Sequence, residues 1–154
     1  MRGAIICLLA VTLASSAGQD LQDLKNRTGL VGSPQIVARV NLTGQTNSIP
    51  TTTFFTPKSD GLFRLSGVMV TTLASNQLTG TWETTIGFTP DSGATTQPWV
   101  STNTAVITGG VNESTLTVRS NAGNPLTYSV SVGANSGDPQ GSTYELFLVL
   151  ERLE

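Results

Sequence analysis

From Gln35 to the C-terminus, apolar side chains recur at every second position, in short runs separated by turn residues. That period is the one a pleated strand imposes, because successive side chains point to opposite faces. "QIVARVNLT" sets Ile36, Ala38, Val40 and Leu42 on one face and Arg39 on the other. "TWETTIGFT" sets Trp82, Thr84, Ile86 and Phe88 against Glu83 and Thr85, and "LTYSVSV" sets Leu126, Tyr128, Val130 and Val132 against Thr127, Ser129 and Ser131. "IPTTTFFTP", "LFRLSGVMVTT", "TAVIT", "STLTVRS" and "TYELFLVLERL" complete eight candidate strands, with "GGVNE" separating the fifth from the sixth. Turn signals interrupt them about every 8 to 15 residues, and no convincing helix lies between them. The expectation is an all-β, antiparallel sandwich over residues 35–154. Eight strands in a chain this short suit a jelly roll. An immunoglobulin domain would show a Cys…Trp…Cys spacing that is missing here.

Composition agrees. Charged residues make up 12% of the 154 and aromatics 6%, while Thr, Ser, Gly and Asn dominate the polar set. Thr, Val and Gly are weak helix formers. The length suits one domain. A net charge of −2 from scattered residues leaves no basic footprint for a nucleic acid.

The two prolines bounding "IPTTTFFTP" argue against a central place in a sheet. "PKSDG" after it reads as a turn, in which Pro57 sets the backbone angle, Asp60 bonds to nearby amides and Gly61 takes a positive φ. Phe54 and Phe55 would fall on opposite faces of their strand, so one of them should leave the core.

Two strands break the half-buried pattern. Phe63, Leu65 and Met69 alternate with Leu62, Arg64, Val68 and Val70, and Leu146, Leu148 and Leu150 alternate with Phe147 and Val149. A strand with one face in water should be polar on that face. Either loops cover these strands or their outer faces bury against another subunit. Leu62, Val68, Phe147 and Val149 are therefore the expected subunit-interface residues.

The N-terminus, "MRGAIICLLAVTLASSAGQD", has one arginine, an apolar run from Ala4 to Ala14 and small residues at Ser15 and Ala17. This is the layout of a secretory signal peptide over residues 1–17, too short to span a bilayer. No membrane span is expected after cleavage. Residues 18–34 read as an arm or a short helix, with Leu21 and Leu24 three apart and Gly29, Gly32 and Pro34 ending it. A chain cut after Ala17 would have neither cysteine nor histidine. Export without disulfides suits a bacterial or phage-related source better than a disulfide-stapled animal domain.

That absence also bounds the chemistry. The usual zinc, haem and copper ligand sets and His- or Cys-based nucleophilic mechanisms are missing. Lys25 and Lys58 would lie in the arm and in a turn, poor places for a lysine base. The carboxylates Asp60, Glu83, Asp91, Glu113, Asp138, Glu145 and Glu151 are scattered over separate turns and outward strand positions. "TPDSGATT" and "ANSGDPQGS" lack the dense spacing of a calcium loop. Asn26, Asn41 and Asn112 begin glycan acceptor triplets, which matter only in a eukaryotic secretory route. No cofactor, no metal and no catalytic residue is expected. Trp99, in "TTQPWVSTNT", follows Pro98 in what reads as a polar loop. It is the candidate ligand contact, by stacking on a sugar ring, or else it caps the end of the sandwich.

Several of these segments together resemble a group of small β proteins encoded by tailed phages and by bacteria. The resemblance is carried by "TTTFFTP", "GLFRL", "TIGFTPDSG", "LTVRSNAG", "PLTYSV" and "YELFLVLERLE", and covers about residues 36–154. More distantly, the Gly-aromatic strand and the hydrophobic last strand are similar to the C1q and tumour-necrosis-factor jelly rolls. The resemblance implies a structural or surface-binding role with no catalytic residues, on a cell surface or a virion, and by the C1q analogy a homo-trimer. The expected function is a non-enzymatic assembly module; the alternative is a secreted carbohydrate-binding or adhesion domain.

Overall fold

A computed structural model describes residues 33–74, 80–103, 109–132 and 141–154. The signal-like segment, the arm up to residue 32, the "TAVIT" run and most of "ANSGDPQGS" lie outside these residues. Among the described residues there are eight strands and no helix: β1 (Gln35–Gln45), β2 (Ile49–Phe55), β3 (Gly61–Leu73), β4 (Thr81–Phe88), β5 (Thr95–Asn103), β6 (Val111–Ser120), β7 (Leu126–Val132) and β8 (Thr143–Arg152). They form two antiparallel four-stranded sheets, in the orders β1-β8-β3-β6 and β2-β7-β4-β5.

The pairing has a simple logic. β1 pairs with β8, β2 with β7, β3 with β6 and β4 with β5. The chain is thus one long hairpin, folded at the β4–β5 end and then rolled. The β3–β8 and β4–β7 contacts seal each sheet. This is the jelly-roll connectivity, two interlocked Greek keys.

The inner faces are apolar because the alternation places them so. Phe63, Leu65 and Met69 of β3 and Leu146, Leu148 and Leu150 of β8 meet Trp82, Ile86, Tyr128 and Val130 of the other sheet. Ile86 and Val130 are each 1% exposed, as their period-two positions require. Polar atoms inside this core are partnered at one end. The Tyr144 hydroxyl donates to the Asn47 carbonyl at 2.8 Å, and the Trp82 indole donates to Ser142 Oγ at 3.0 Å. The two rings pack with centroids 4.9 Å apart. Burial, with a smaller contribution from the neighbouring Tyr128, raises the Tyr144 pKa above the ordinary tyrosine range.

Bulges account for most departures from strict alternation. In β1 the register shifts between Ile36 and Ala38. Ile36 turns outward at 48% exposure, while Val37 packs on the core in its place. In β2 a shift between Thr53 and Phe55 lets both phenylalanines turn inward. Phe54 meets Tyr128 edge to face at 6.1 Å, and Phe55 meets Phe63 at 5.8 Å. Neither leaves the core, contrary to the simple period-two expectation. β2 is an edge strand, as its proline requires.

The fifth strand differs from expectation. It runs from Thr95 to Asn103, so Trp99 sits in a strand and not in a polar loop. Pro98 is tolerated because β5 lies at the edge of its sheet. The β6 strand starts at Val111, so "GGVNE" is only partly a turn. The "PKSDG" bend also needs correction. Asp60 Oδ1 accepts from the Ala122 amide, 62 residues away, at 2.7 Å. Gly61 does not take a positive φ. It opens β3 as a buried residue, and an added Cβ would lie 2.9 Å from the Glu154 carbonyl oxygen.

Candidate functional site

β8 and β3 are the two central strands of the first sheet. Their inner residues fill the core, so their outer residues form a continuous strip on the opposite face. Register assembles this strip in rows. Asn41, Phe147, Val68 and Glu113 make one row across β1, β8, β3 and β6. Arg39, Val149, Ser66 and Thr115 make the next, followed by Glu151, Arg64 and Thr117. On the other side of the Phe147 row, Glu145, Val70 and Val111 line up.

Three of the expected interface residues therefore come together. Val68, Phe147 and Val149 are half-buried, and none of them packs against the core. They line a shallow depression of about 480 Å³ with Ser66, Glu113 and Thr115. The surface dips there because Ser66 and Thr115 are short and stand beside the larger Phe147 and Val68. Leu62, the fourth residue, is half-buried but lies beyond Arg64, opposite Arg119, outside the depression. Val111, 61% exposed, extends the apolar strip. Placing it in a turn hid it from the sequence pattern.

Charge flanks the strip in an ordered way. Arg64 donates through Nε and Nη2 to a single Glu151 oxygen, at 2.7 and 2.6 Å. Arg39 and Glu113 are exposed on the outer strands β1 and β6, on opposite sides of the apolar centre.

Trp99 has a different environment. The β4–β5 register shifts between Glu83–Ser101 and Thr85–Pro98, so Trp99 and Val100 together oppose Thr84. This bulge turns both toward the core: Val100 is buried and Trp99 packs against the buried cluster. The indole lies over Gly67 of the facing sheet, where a Cβ would fall 2.5 Å from Trp99 Cζ3. A glycine beneath a large ring is how facing sheets fill a gap about 10 Å wide. The indole nitrogen has no partner among the described residues.

The remaining candidates are dispersed. Asp60 bonds to the Ala122 amide, Asp91 lies 3.8 Å from Arg119 at the surface, and Lys58 is exposed. Gly93 closes a turn onto the Pro90 carbonyl within "TPDSGATT". Among the described residues no three His, Cys, Asp or Glu side chains gather as metal ligands would. Asn41 is exposed in the Phe147 row; Lys25, Asn26 and Asp138 lie outside the described residues.

No family model matches the chain, and no curated protein matches its sequence. Solved structures with a similar fold exist at low identity. The CBM22-1 and GH10 modules of Clostridium thermocellum endo-1,4-β-D-xylanase 10B, complexed with xylohexaose, match at 10% identity and TM-score 0.40, over 78% of this chain and 28% of that one. A chain of infectious bursal disease virus, Gx strain, matches at 13% identity and TM-score 0.42, over 80% of this chain and 34% of that one. The Eiger tumour necrosis factor of S. frugiperda matches at 14% identity and TM-score 0.37, over 78% of this chain and 94% of that one. The chain spans about a third or less of the length of the first two. These are loose likenesses, and the jelly-roll assignment rests on the strand pairing itself.

Proposed function

We propose that this chain is a non-enzymatic assembly module, a jelly roll that associates with copies of itself through the outer face of the β1-β8-β3-β6 sheet. One observation carries the reading: among the charged and polar side chains on the outer face of the two central strands, Val68, Phe147 and Val149 gather as one apolar patch turned away from the core. Each such side chain gains of order 1 kcal/mol when its remaining surface is buried. A sheet face turned to water is usually polar at such positions, and three apolar neighbours there suit a covering surface. The signal-like N-terminus supports a secreted or cell-surface setting for the assembly. The placement of the Trp99 indole over Gly67 supports a packing role for that residue over stacking on a sugar.

Phe147→Lys tests the reading. Its side chain faces away from the buried Leu146 and Leu148, so the sandwich should keep its circular dichroism and thermal midpoint. The purified parent should scatter light as an oligomer at tens of micromolar, and the variant as a monomer. A parent that is monomeric at that concentration, or a variant that associates like the parent, removes this function.

A further inference from the structure

Resting on that assembly reading, we infer that the partner of the β1-β8-β3-β6 face is a second copy related by a twofold axis that runs along the strands, between β8 and β3. The charge and shape of the face select this arrangement over the other twofold packing open to two sheets laid face to face.

An axis along the strands exchanges β8 with β3 and β1 with β6, while each row stays at its own height. Phe147 then lies over the partner's Val68, so both apolar centres coincide. Glu151 lies over the partner's Arg64, and Arg64 over the partner's Glu151. The in-chain pair and its symmetry mate become four alternating charges, each attracted by two neighbours. Asn41 meets the partner's Glu113, an amide donor against a carboxylate. Arg39 lies one row away from the same carboxylate, within reach of a long side chain. Glu145 falls over the partner's Val70 at the end of the strip.

An axis across the strands, centred on the same apolar patch, reverses the rows instead. Glu145 would then lie over the partner's Glu151, twice per dimer, and β1 would lie over β1 with its Arg39 near the partner's Arg39. Like charges facing each other in a closing interface oppose association. The trimer implied by resemblance to C1q has no counterpart in this pattern, which is self-complementary about a single line.

The size of the face suits a weak, reversible contact. Four strands about 4.8 Å apart, over a register of roughly eight residues, present about 500 Å² per copy. The total of about 1,000 Å² lies at the low end for specific complexes. The dimer should be reversible, with a dissociation constant in the micromolar range.

The double exchange Arg64→Glu with Glu151→Arg tests this while keeping the ion pair within each chain. In the along-strand dimer the exchanged chain should associate with itself as tightly as the parent does, within about threefold. Mixed dimers of parent and exchanged chain would put Glu over Glu and Arg over Arg. Fluorescence energy transfer between labelled parent and exchanged chains should show mixed dimers at least about tenfold below their statistical share. Free mixing overturns the along-strand axis, because the across-strand packing places position 151 over Glu145 and tolerates the exchange. Should the parent dimerise and Phe147→Lys not, while the chains mix freely, the geometry fails and the assembly reading stands. Should the parent be a monomer, both fail. Matching thermal midpoints of parent and exchanged chain confirm that the comparison is between folded proteins.

Discussion

Gly67→Ala should destabilise this domain by more than a single methyl on a strand usually does. A central-strand glycine is ordinarily a weakness, since it packs nothing and loses more chain entropy on folding than other residues. On that basis alanine would be neutral or stabilising by up to about 1 kcal/mol. Here the new Cβ would lie 2.5 Å from Trp99 Cζ3 and 3.0 Å from Leu148 Cδ2, with Cη2 of the same indole also in its way. Real Cβ atoms do not approach so closely, and the indole has little room to move. It is anchored by the β5 bulge and backed by the buried cluster. Overpacking of this kind costs about 1–3 kcal/mol. For a domain of this size that lowers the thermal midpoint by roughly 3–10 °C. A double-mutant cycle with Trp99→Leu isolates the clash, because leucine leaves space for the methyl. The cost of Gly67→Ala in the Trp99→Leu background should shrink by at least about 1 kcal/mol. Urea titration followed by far-ultraviolet circular dichroism measures all four proteins without relying on the substituted tryptophan. A Gly67→Ala protein as stable as the parent, or additive effects around the cycle, would show that the indole does not rest on Gly67.

Two further outcomes are expected. The Tyr144 pKa is raised in the folded chain by burial, so its proton is held more tightly there than in the unfolded chain. The associated stability is complete below about pH 10, the unfolded value, and is lost as pH rises from there toward the raised folded value, at about 1.4 kcal/mol per pH unit. Tyr144→Phe should flatten that alkaline decline in urea titrations at stepped pH, and an unchanged slope would place the titration elsewhere. At the N-terminus, the signal layout leads to a secreted product beginning at Gly18. Intact mass of the exported chain reads this directly, and a product retaining Met1 refutes it.

Much of this fold was legible because a strand's side-chain period is short and local. Alternation in residues 61–73, 81–88, 126–132 and 143–152 placed each strand, and it separated Phe63, Leu65, Met69 and Ile86 from their outward neighbours. The prolines marked β2 as an edge strand for a reason that is also local: a residue without an N–H cannot serve in a central ladder. Double-sided apolarity singled out β3 and β8 and hence Val68, Phe147 and Val149. What the residues did not reveal is whatever depends on a partner strand. The bulges at Ile36–Ala38, Thr53–Phe55 and Glu83–Thr85 exist only in the register between two strands, and each one changes which side chain faces in. Phe54 and Trp99 reach the core through such shifts: alternation required one of the two adjacent phenylalanines to leave the core, and Trp99 stood in a stretch with no alternation to read. The β5 strand itself was hidden, since a Thr- and Gln-rich edge carrying a proline looks like a loop until β4 supplies its hydrogen bonds. The pairing of Arg64 with Glu151, 87 residues apart, arises only from the β3–β8 register. Sequence determined which segments extend and which faces are apolar, because those follow from each residue's own chemistry. Tertiary structure decided which rows align, because register belongs to two paired strands and is shifted by the bulges between them.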